Sequence, residues 1–296
     1  MTVHHYAADG SYVGSIGRRG KGPGEFVAQP GVLVVDADSL LFVKDGALVE
    51  IFEYPSGRFR QQAALGGFSV PGQALDGRLF FGRVDRDRRT TVGALQITAD
   101  SPALGGPFPS PLGRSVVLDH MFSYVQVTTL GTDDTVAVAV QGSDYLFVGA
   151  FDEPSYDSIH VPVIQRHGAR PDLLERITDD PRTAEPALYQ VSVPWALAQL
   201  PNGYVAYVAA DQELSNNRLL ASLYVSVVDT QRRSTCPDAA IPAPRDPQPW
   251  VAFRGDTLFI VVQDLSTEGR PYAAIRKYLM DTERCEWIVS ENGQGS

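Results

Sequence analysis

The chain has 296 residues, 44% of them hydrophobic, which is enough for a substantial core and unlike the composition of a disordered protein. Its 25 Lys and Arg against 35 Asp and Glu leave a formal net charge of −10, which repels a phosphate backbone and argues against general nucleic-acid binding. No apolar run approaches the roughly 20 residues of a membrane-spanning helix, and two cysteines with no C-x-x-C and no nearby histidine pair offer nothing for a zinc site.

From the amino terminus, MTVHHYAADG has neither the charged nor the apolar region of an export signal. The opening VHHYAADGSYVGSIG reads as a hairpin turning at Asp9 and Gly10. After the glycine-rich GRRGKGPGEF (residues 17–26), one pattern then recurs five times: an apolar, β-branched or aromatic run, an Asp/Gly/Asn turn and a second such run. The copies are GVLVVDADSLLFVKDG, FSVPGQALDGRLFFGRV, VQVTTLGTDDTVAVAV, WALAQLPNGYVAYVAA and WVAFRGDTLFIVVQD. Each is followed by a second hairpin: ALVEIFEYPSGRFRQQAAL, TTVGALQITADSPAL, YLFVGAFDEPSYDSIHVPV, LLASLYVSVVDTQRRSTC and AAIRKYLMDTERCEWIV.

Two hairpins make four antiparallel strands, the unit of a β-propeller, in which each sheet buries its faces against its neighbours. A pair of β-sandwiches also yields many short strands but predicts no repeated pairing of hairpins. The opening hairpin resembles the second half of a unit, so first hairpins number five and second hairpins six. The expectation is an all-β, six-bladed propeller of four-stranded antiparallel blades, a single domain over residues 1–296. Its approximate blades are 1–17 (partial), 28–66, 67–105, 115–166, 187–244 and 249–290. The missing inner strands of the first blade would lie upstream of Met1 or be supplied otherwise, as in an N-terminally shortened version of a longer protein. The alternative is a five-bladed ring with a terminal hairpin packed on its edge. GARPDLLERITDDPR, with Pro171 near its start and Leu173, Leu174 and Ile177 along one side, predicts a short helical insertion near 169–180.

GRRGKGPGEF invites comparison with a phosphate loop, but Lys21 is followed by Gly22, a strand comes next, and Pro23 removes an N–H donor. The glycines suit a tight blade crossover, with Glu25 accepting backbone hydrogen bonds and Phe26 wedged between sheets. In a propeller this crossover shares a face with the loops between the middle strands of blades, one of which would be RVDRDRR (residues 83–89). Arg18, Arg19, Lys21, Arg83, Arg86, Arg88 and Arg89 are therefore a candidate basic patch for an anionic ligand, with Asp85 and Asp87 available to neutralise neighbours.

Other chemistry is sparse. His4, His5, His120, His160 and His167 show no H-x-x-x-H or H-E-x-x-H spacing, and no G-x-S-x-G is present. Asp36, Asp119, Asp134 and Asp211 lie near strand ends, where turn chemistry also favours aspartate. Trp195, Trp250 and Tyr189 open or precede first hairpins and suit either blade packing or stacking on a sugar or peptide. Cys236 and Cys285 occupy matching places after DTQRRST and DTER. A disulfide between them requires Cα atoms within about 7 Å and would fit an oxidising compartment.

GSYVGSIGRRGKGPGEFVAQPGVLVVDADSLLFVKDGALVEIFEYPSGRF resembles a blade junction of bacterial six-bladed β-propellers related to NHL repeats. Gly22, Pro23, Gly24, Glu25 and Phe26 fill the junction motif, and Asp36 and Asp45 fall at its aspartate positions. The tail VAFRGDTLFIVVQDLSTEGRPYAAIRKYLMDTERCEW resembles closing blades of such proteins. This resemblance implies export, as a periplasmic, lipoprotein or secreted protein. The resulting functional expectation is a non-enzymatic binding or scaffold propeller, monomeric and without a cofactor. Its partner would be a protein, a peptide or an anionic small molecule or glycan that meets the crossover face. The alternative is a metal-dependent hydrolase or lyase, resembling gluconolactonase-like propellers, with a divalent metal among acids in the central channel.

Overall fold

The computed structural model describes residues 1–7, 9, 11–28, 30–31, 33–36, 40–65, 69–75, 77–85, 90–96, 103–104, 124–131, 134–153, 155–168, 191–215, 218–242, 249–265 and 271–290. Among these the regular structure is all β. A hairpin, β1 (Val3–Tyr6) and β2 (Tyr12–Ile16), precedes two short strands that pair in parallel, β3 (Arg18–Arg19) and β4 (Glu25–Phe26). Blade I comprises β5 (Leu33–Asp36), β6 (Leu40–Asp45), β7 (Leu48–Glu53) and β8 (Phe59–Ala64). Blade II comprises β9 (Ser69–Leu75), β10 (Arg78–Asp85), β11 (Thr90–Gln96) and β12 (Ala103–Leu104). Blade III comprises β13 (Val125–Thr129), β14 (Thr135–Val140), β15 (Tyr145–Ala150) and β16 (Asp157–His160). Blade IV comprises β17 (Val193–Gln199), β18 (Val205–Ser215), β19 (Arg218–Asp229) and β20 (Ser234–Ala240). Blade V has three strands, β21 (Trp250–Arg254), β22 (Thr257–Leu265) and β23 (Pro271–Leu279), and a last strand, β24 (Ile288–Val289), follows.

Neighbouring blades share apolar cores. Phe42 and Ile51 of blade I meet Leu79 and Phe81 of blade II. Phe80 on the opposite face joins Val125, Val136 and Val138 of blade III. Val205, Tyr207 and Val228 of blade IV pack with Ala137, Leu146 and Ile159 of blade III. Leu258, Ile260 and Val262 of blade V pack with Val208, Ala210 and Leu223 of blade IV. Successive side chains of a strand point to opposite faces, so a middle blade buried on both faces reads as a continuous apolar run such as TVAVAV rather than an alternation. Blades II and III approach so closely that a Cβ on Gly82 would sit 2.1 Å from the Val125 carbonyl oxygen, which accounts for glycine in mid-strand. Sheets of this kind, stacked in succession along the chain, define a β-propeller.

Three expectations need correction or limits. Among the described residues the blades number five rather than six: β1 and β2 there pair only with each other, as a separate two-stranded sheet. The hairpin instead covers blade I, where Ile16 and Val3 join Phe26, Leu41, Val43 and Phe52. A hairpin has the same local pattern whether it completes a blade or caps one, so counting hairpins cannot distinguish the two. No helix occurs among the described residues, and the helical insertion predicted near 169–180 lies outside them. The final hairpin is also split. β23 stays in blade V, whereas β24 crosses to blade IV and pairs with its outer strand at Ser234↔Val289 and Thr235↔Ile288. Cys236 and Cys285 are disulfide-bonded with Cα atoms 5.3 Å apart. Trp287 against Tyr204, with ring centroids 5.0 Å apart, and Ser290, whose Oγ accepts the His160 N–H at 2.7 Å, further hold this strap.

Candidate functional site

The crossover GRRGKGPGEF is built around one carboxylate and one ring. Glu25 accepts the Gly22 N–H at 2.8 Å on one oxygen and the Arg18 Nε–H at 2.7 Å on the other. These donors hold its carboxyl below the usual range, the Gly22 amide most and Arg18 next. Phe26 is fully buried between the β1–β2 hairpin and blade I. Gly24, at φ +73°, lets the chain turn there against the Phe59 side chain. The next two amides, Val27 and Ala28, each donate at 2.7 Å to the buried Asp45 carboxylate at the end of β6.

Under this crossover Glu50 is wholly buried. One of its oxygens accepts from Gln62, and Oε2 has no hydrogen-bond partner among the described residues. Burial pushes its carboxyl pKa up, and the neighbouring Asp45 charge adds to that, offset in part by Gln62 and the Gly24 amide.

Of the seven predicted basic residues, three are described throughout. Arg18 is paired with Glu25, although its side chain is 81% exposed. Arg19 is exposed on β3, and Lys21 lies on the same short loop. Arg83 lies in β10, its side chain outside what is described, and Arg86, Arg88 and Arg89 lie outside the described residues. The three described members thus sit together on one crossover.

The junction between blades III and IV carries a second polar constellation, of which the sequence singled out Asp211 and His167 separately and not as a group. Asp238 accepts three successive backbone N–H groups, from Ile164 at 2.7 Å, Gln165 at 2.9 Å and Arg166 at 2.7 Å. The buried Arg166 guanidinium reaches the Val161 carbonyl at 3.2 Å, approaches Asp144 at 3.5 Å and lies over the Tyr207 ring. Asp211 accepts the His167 N–H at 3.1 Å and the Ser192 hydroxyl.

Ser192, His167 and Asp211 contain the residue types of a nucleophilic triad but are wired differently. A triad needs the serine on the imidazole and the imidazole on the acid. Here the Ser192 hydroxyl meets Asp211 and the His167 backbone carbonyl, while the His167 ring stands 3.6 Å from Asp211. That geometry anchors the crossover between the two blades.

A sequence signal for these acids does exist. The second strand carries an aspartate at or near the end of its apolar run in four blades: Asp45, Asp85, Asp211 and Asp264. Blade III has Gln141 just past that point, buried and with Oε1 unpaired among the described residues. Where the side chain is described, in Asp45 and Asp211, the acid receives amides of the crossover entering its own blade. No group of three or more His, Cys, Asp or Glu able to hold a metal ion occurs among the described residues.

The remaining predicted residues separate. Asp134 pairs with Arg78 at 2.6 Å across blades II and III, Asp36 lies at the end of β5 with its side chain outside what is described, and Asp119 lies outside the described residues. Trp195 packs between blades IV and V and donates its indole N–H to the Pro249 carbonyl at 2.7 Å, while Trp250 is 46% exposed. His5 meets the Tyr54 hydroxyl at 2.8 Å, and His4 bonds Ser15 at 3.1 Å. His120 and Tyr189 lie outside the described residues. No helix among the described residues is long and apolar enough to cross a membrane.

No protein-family model matches the chain. No curated protein sequence matches it either. Solved structures similar to it include Hsv2 of Kluyveromyces lactis, at 10% identity and TM-score 0.49, covering 95% of this chain and 80% of that one. A protein of Bacteroides uniformis provisionally named a 6-phosphogluconolactonase is similar at 10% identity and TM-score 0.47, covering 97% and 80%. The β-propeller domain of Cps50 (Swd1) from Myceliophteria thermophila is similar at 12% identity and TM-score 0.43, covering 85% and 73%. The fold assignment rests on the chain's own stacked four-stranded sheets.

Proposed function

We propose that this propeller is a non-enzymatic binding scaffold that functions outside the cytoplasm. The observation carrying the reading is the use of the junction acids. Three buried carboxylates, Asp45, Asp211 and Asp238, each accept backbone N–H of a crossover. A carboxylate engaged in this way fixes loop geometry and is a poor candidate for metal ligation or proton transfer. Rigid blades with anchored loops suit presentation of a surface. The Cys236–Cys285 disulfide supports an oxidising compartment. On the crossover face, the proposed contact to an anionic group falls to Arg19 and Lys21, with Arg18 held by Glu25.

Thermal melting in EDTA and in millimolar Ca2+, Mg2+ or Zn2+ tests the reading against a metal hydrolase. The expected result is one melting temperature in all four, lowered in Asp211→Asn whatever the metal. A metal-induced rise that Asp211→Asn abolishes, together with lactone or ester hydrolysis, would replace the scaffold reading. For the anion contact, a Arg19→Glu/Lys21→Glu variant should elute earlier than the parent from a sulfated-glycan column.

A further inference from the structure

We propose that the open edge of blade V accepts one extended segment of another protein as its fourth strand. Among the described residues, the outer strands of the other blades are poor templates for such pairing: β12 has two residues, β16 has four, β8 has a register shift against β7 at Ile51/Phe52, and β20 is already covered by β24. Short, irregular or covered edges keep a sheet from pairing with another chain. β23 has none of these protections. It runs nine residues, Pro271–Leu279, in unbroken register with β22, and among the described residues no strand lies on its other side. The chain that follows β23 does not fill the place, because the Cys236–Cys285 disulfide and β24 tie it to blade IV.

The phase of the edge specifies the occupant. Met280 donates its N–H to the Asp256 carbonyl at 2.9 Å, so counting back along the ladder makes Leu258↔Tyr278, Ile260↔Arg276 and Val262↔Ala274 the hydrogen-bonded pairs. The N–H and C=O groups of Ile275, Lys277 and Leu279 therefore point away from β22, in the spacing that only another strand matches. The side chains of these three residues share one face of the sheet, with Ile275 64% and Leu279 70% exposed and the exposed Lys277 between them. Residues directly opposite each other on paired strands interact, so an antiparallel segment with an acid between two apolar residues, at alternate positions, complements that row. The place suits a single strand and not a second copy. Blade V is three strands wide and blade IV five. Their inner edges are aligned by the Trp195 indole N–H on the Pro249 carbonyl at 2.7 Å, and the Tyr278 hydroxyl reaches the Pro242 carbonyl, just past β20, at 3.0 Å. Blade IV thus extends beyond β23 and backs the added strand. Pairing β23 with its own copy about a two-fold axis would put both blades IV on one side of a continuous sheet, each in the space of the other.

The test uses the full chain and fluorescent peptides of the pattern leucine-x-glutamate-x-leucine, with x a polar residue, alongside a version with lysine in place of the glutamate. The glutamate peptide should bind saturably, and the lysine peptide at least about ten-fold more weakly. N-methylation of the leucines and the glutamate, whose amides face β23, should weaken binding at least about ten-fold, whereas N-methylation of the x residues should not. Ile275→Pro removes an outward N–H and no bond to β22, so it should weaken binding with circular dichroism unchanged. Lys277→Glu should reverse the preference between the two peptides, a result that loss of folding cannot mimic. The proposal is overturned if neither peptide binds saturably, if the two N-methylation patterns act alike, or if Lys277→Glu keeps the parent's preference. It is equally overturned if sedimentation velocity detects self-association that Ile275→Pro removes, which would assign the edge to a second copy.

Discussion

Blades I and V stand at the two ends of the succession of sheets, and each presents a face that no further blade covers among the described residues. Blade I has that face closed by its own chain: the β1–β2 hairpin and the crossover phenylalanine lie on Leu41, Val43 and Phe52. Blade V has it open, with Trp250, Ile275 and Leu279 exposed. Chain that could have formed a fourth strand of blade V passes instead to blade IV, where the disulfide and β24 hold it. The difference lies in the cover and not in side-chain size: Leu41, Val43 and Phe52 of blade I lie under the hairpin, whereas Trp250, Ile275 and Leu279 of blade V are exposed. The covered end also contains buried polar groups, Asp45 and Glu50, that solvent could not reach without the crossover moving.

If the two ends differ as described, Phe26→Ala should cost about 3–5 kcal/mol in chemical denaturation, because it empties a fully buried aromatic site. A cost below about 1 kcal/mol would mean that the hairpin and crossover do not seal blade I. Next in size, Cys285→Ser should cost about 2–4 kcal/mol, since the bond closes a 49-residue separation, and should make the strap the first site of limited proteolysis. At the blade III–IV junction, Asp238→Ala orphans three backbone donors and should cost about 2–3 kcal/mol, with Asp238→Asn losing less.

The fourth prediction concerns pH. The folded pKa of Glu50 is raised, so between its ordinary value and that raised value the folded state binds more protons than the unfolded state. Glu50 therefore stabilises less as pH climbs through that window. Glu50→Gln should be progressively more stable than the parent as pH increases from about 4.5 upward, a divergence that paired melting curves will show. Parallel curves would mean that Glu50 keeps an ordinary pKa under the crossover. At the small end, Leu279→Asp should change stability by no more than about 0.5 kcal/mol, which is the behaviour of an uncovered position. A large loss there would erase the contrast between the two ends.

Much of the architecture was legible in local pattern. The apolar runs and their Asp/Gly turns marked the paired hairpins, because an alternation or continuous run of β-branched residues between turn formers has few other solutions. The GPGEF segment was readable for the same reason: Pro23, the glycines, Glu25 and Phe26 each have a local role, and Glu25 and Phe26 take the capping and wedging positions expected of them. The number of blades was not readable, since β1–β2 packs on blade I through Ile16 and Val3 rather than through any pairing its sequence specifies. Ser192, Arg166 and Asp238 were invisible as a group because they come together only when blades III and IV meet, from positions up to 74 residues apart in their direct hydrogen bonds.

The sequence by itself determined strands, turns and the repeating pair of hairpins, because these follow from side-chain periodicity and from the backbone freedom of glycine and aspartate over a few residues. Tertiary structure decided which sheet each strand joined, which buried acid faced which crossover amide, and which end of the propeller stayed uncovered. Those outcomes depend on burial between faces distant in the chain. A strand such as WVAFR presents one face to a neighbour and one outward, and only the presence or absence of that neighbour makes Val251 core and Trp250 surface.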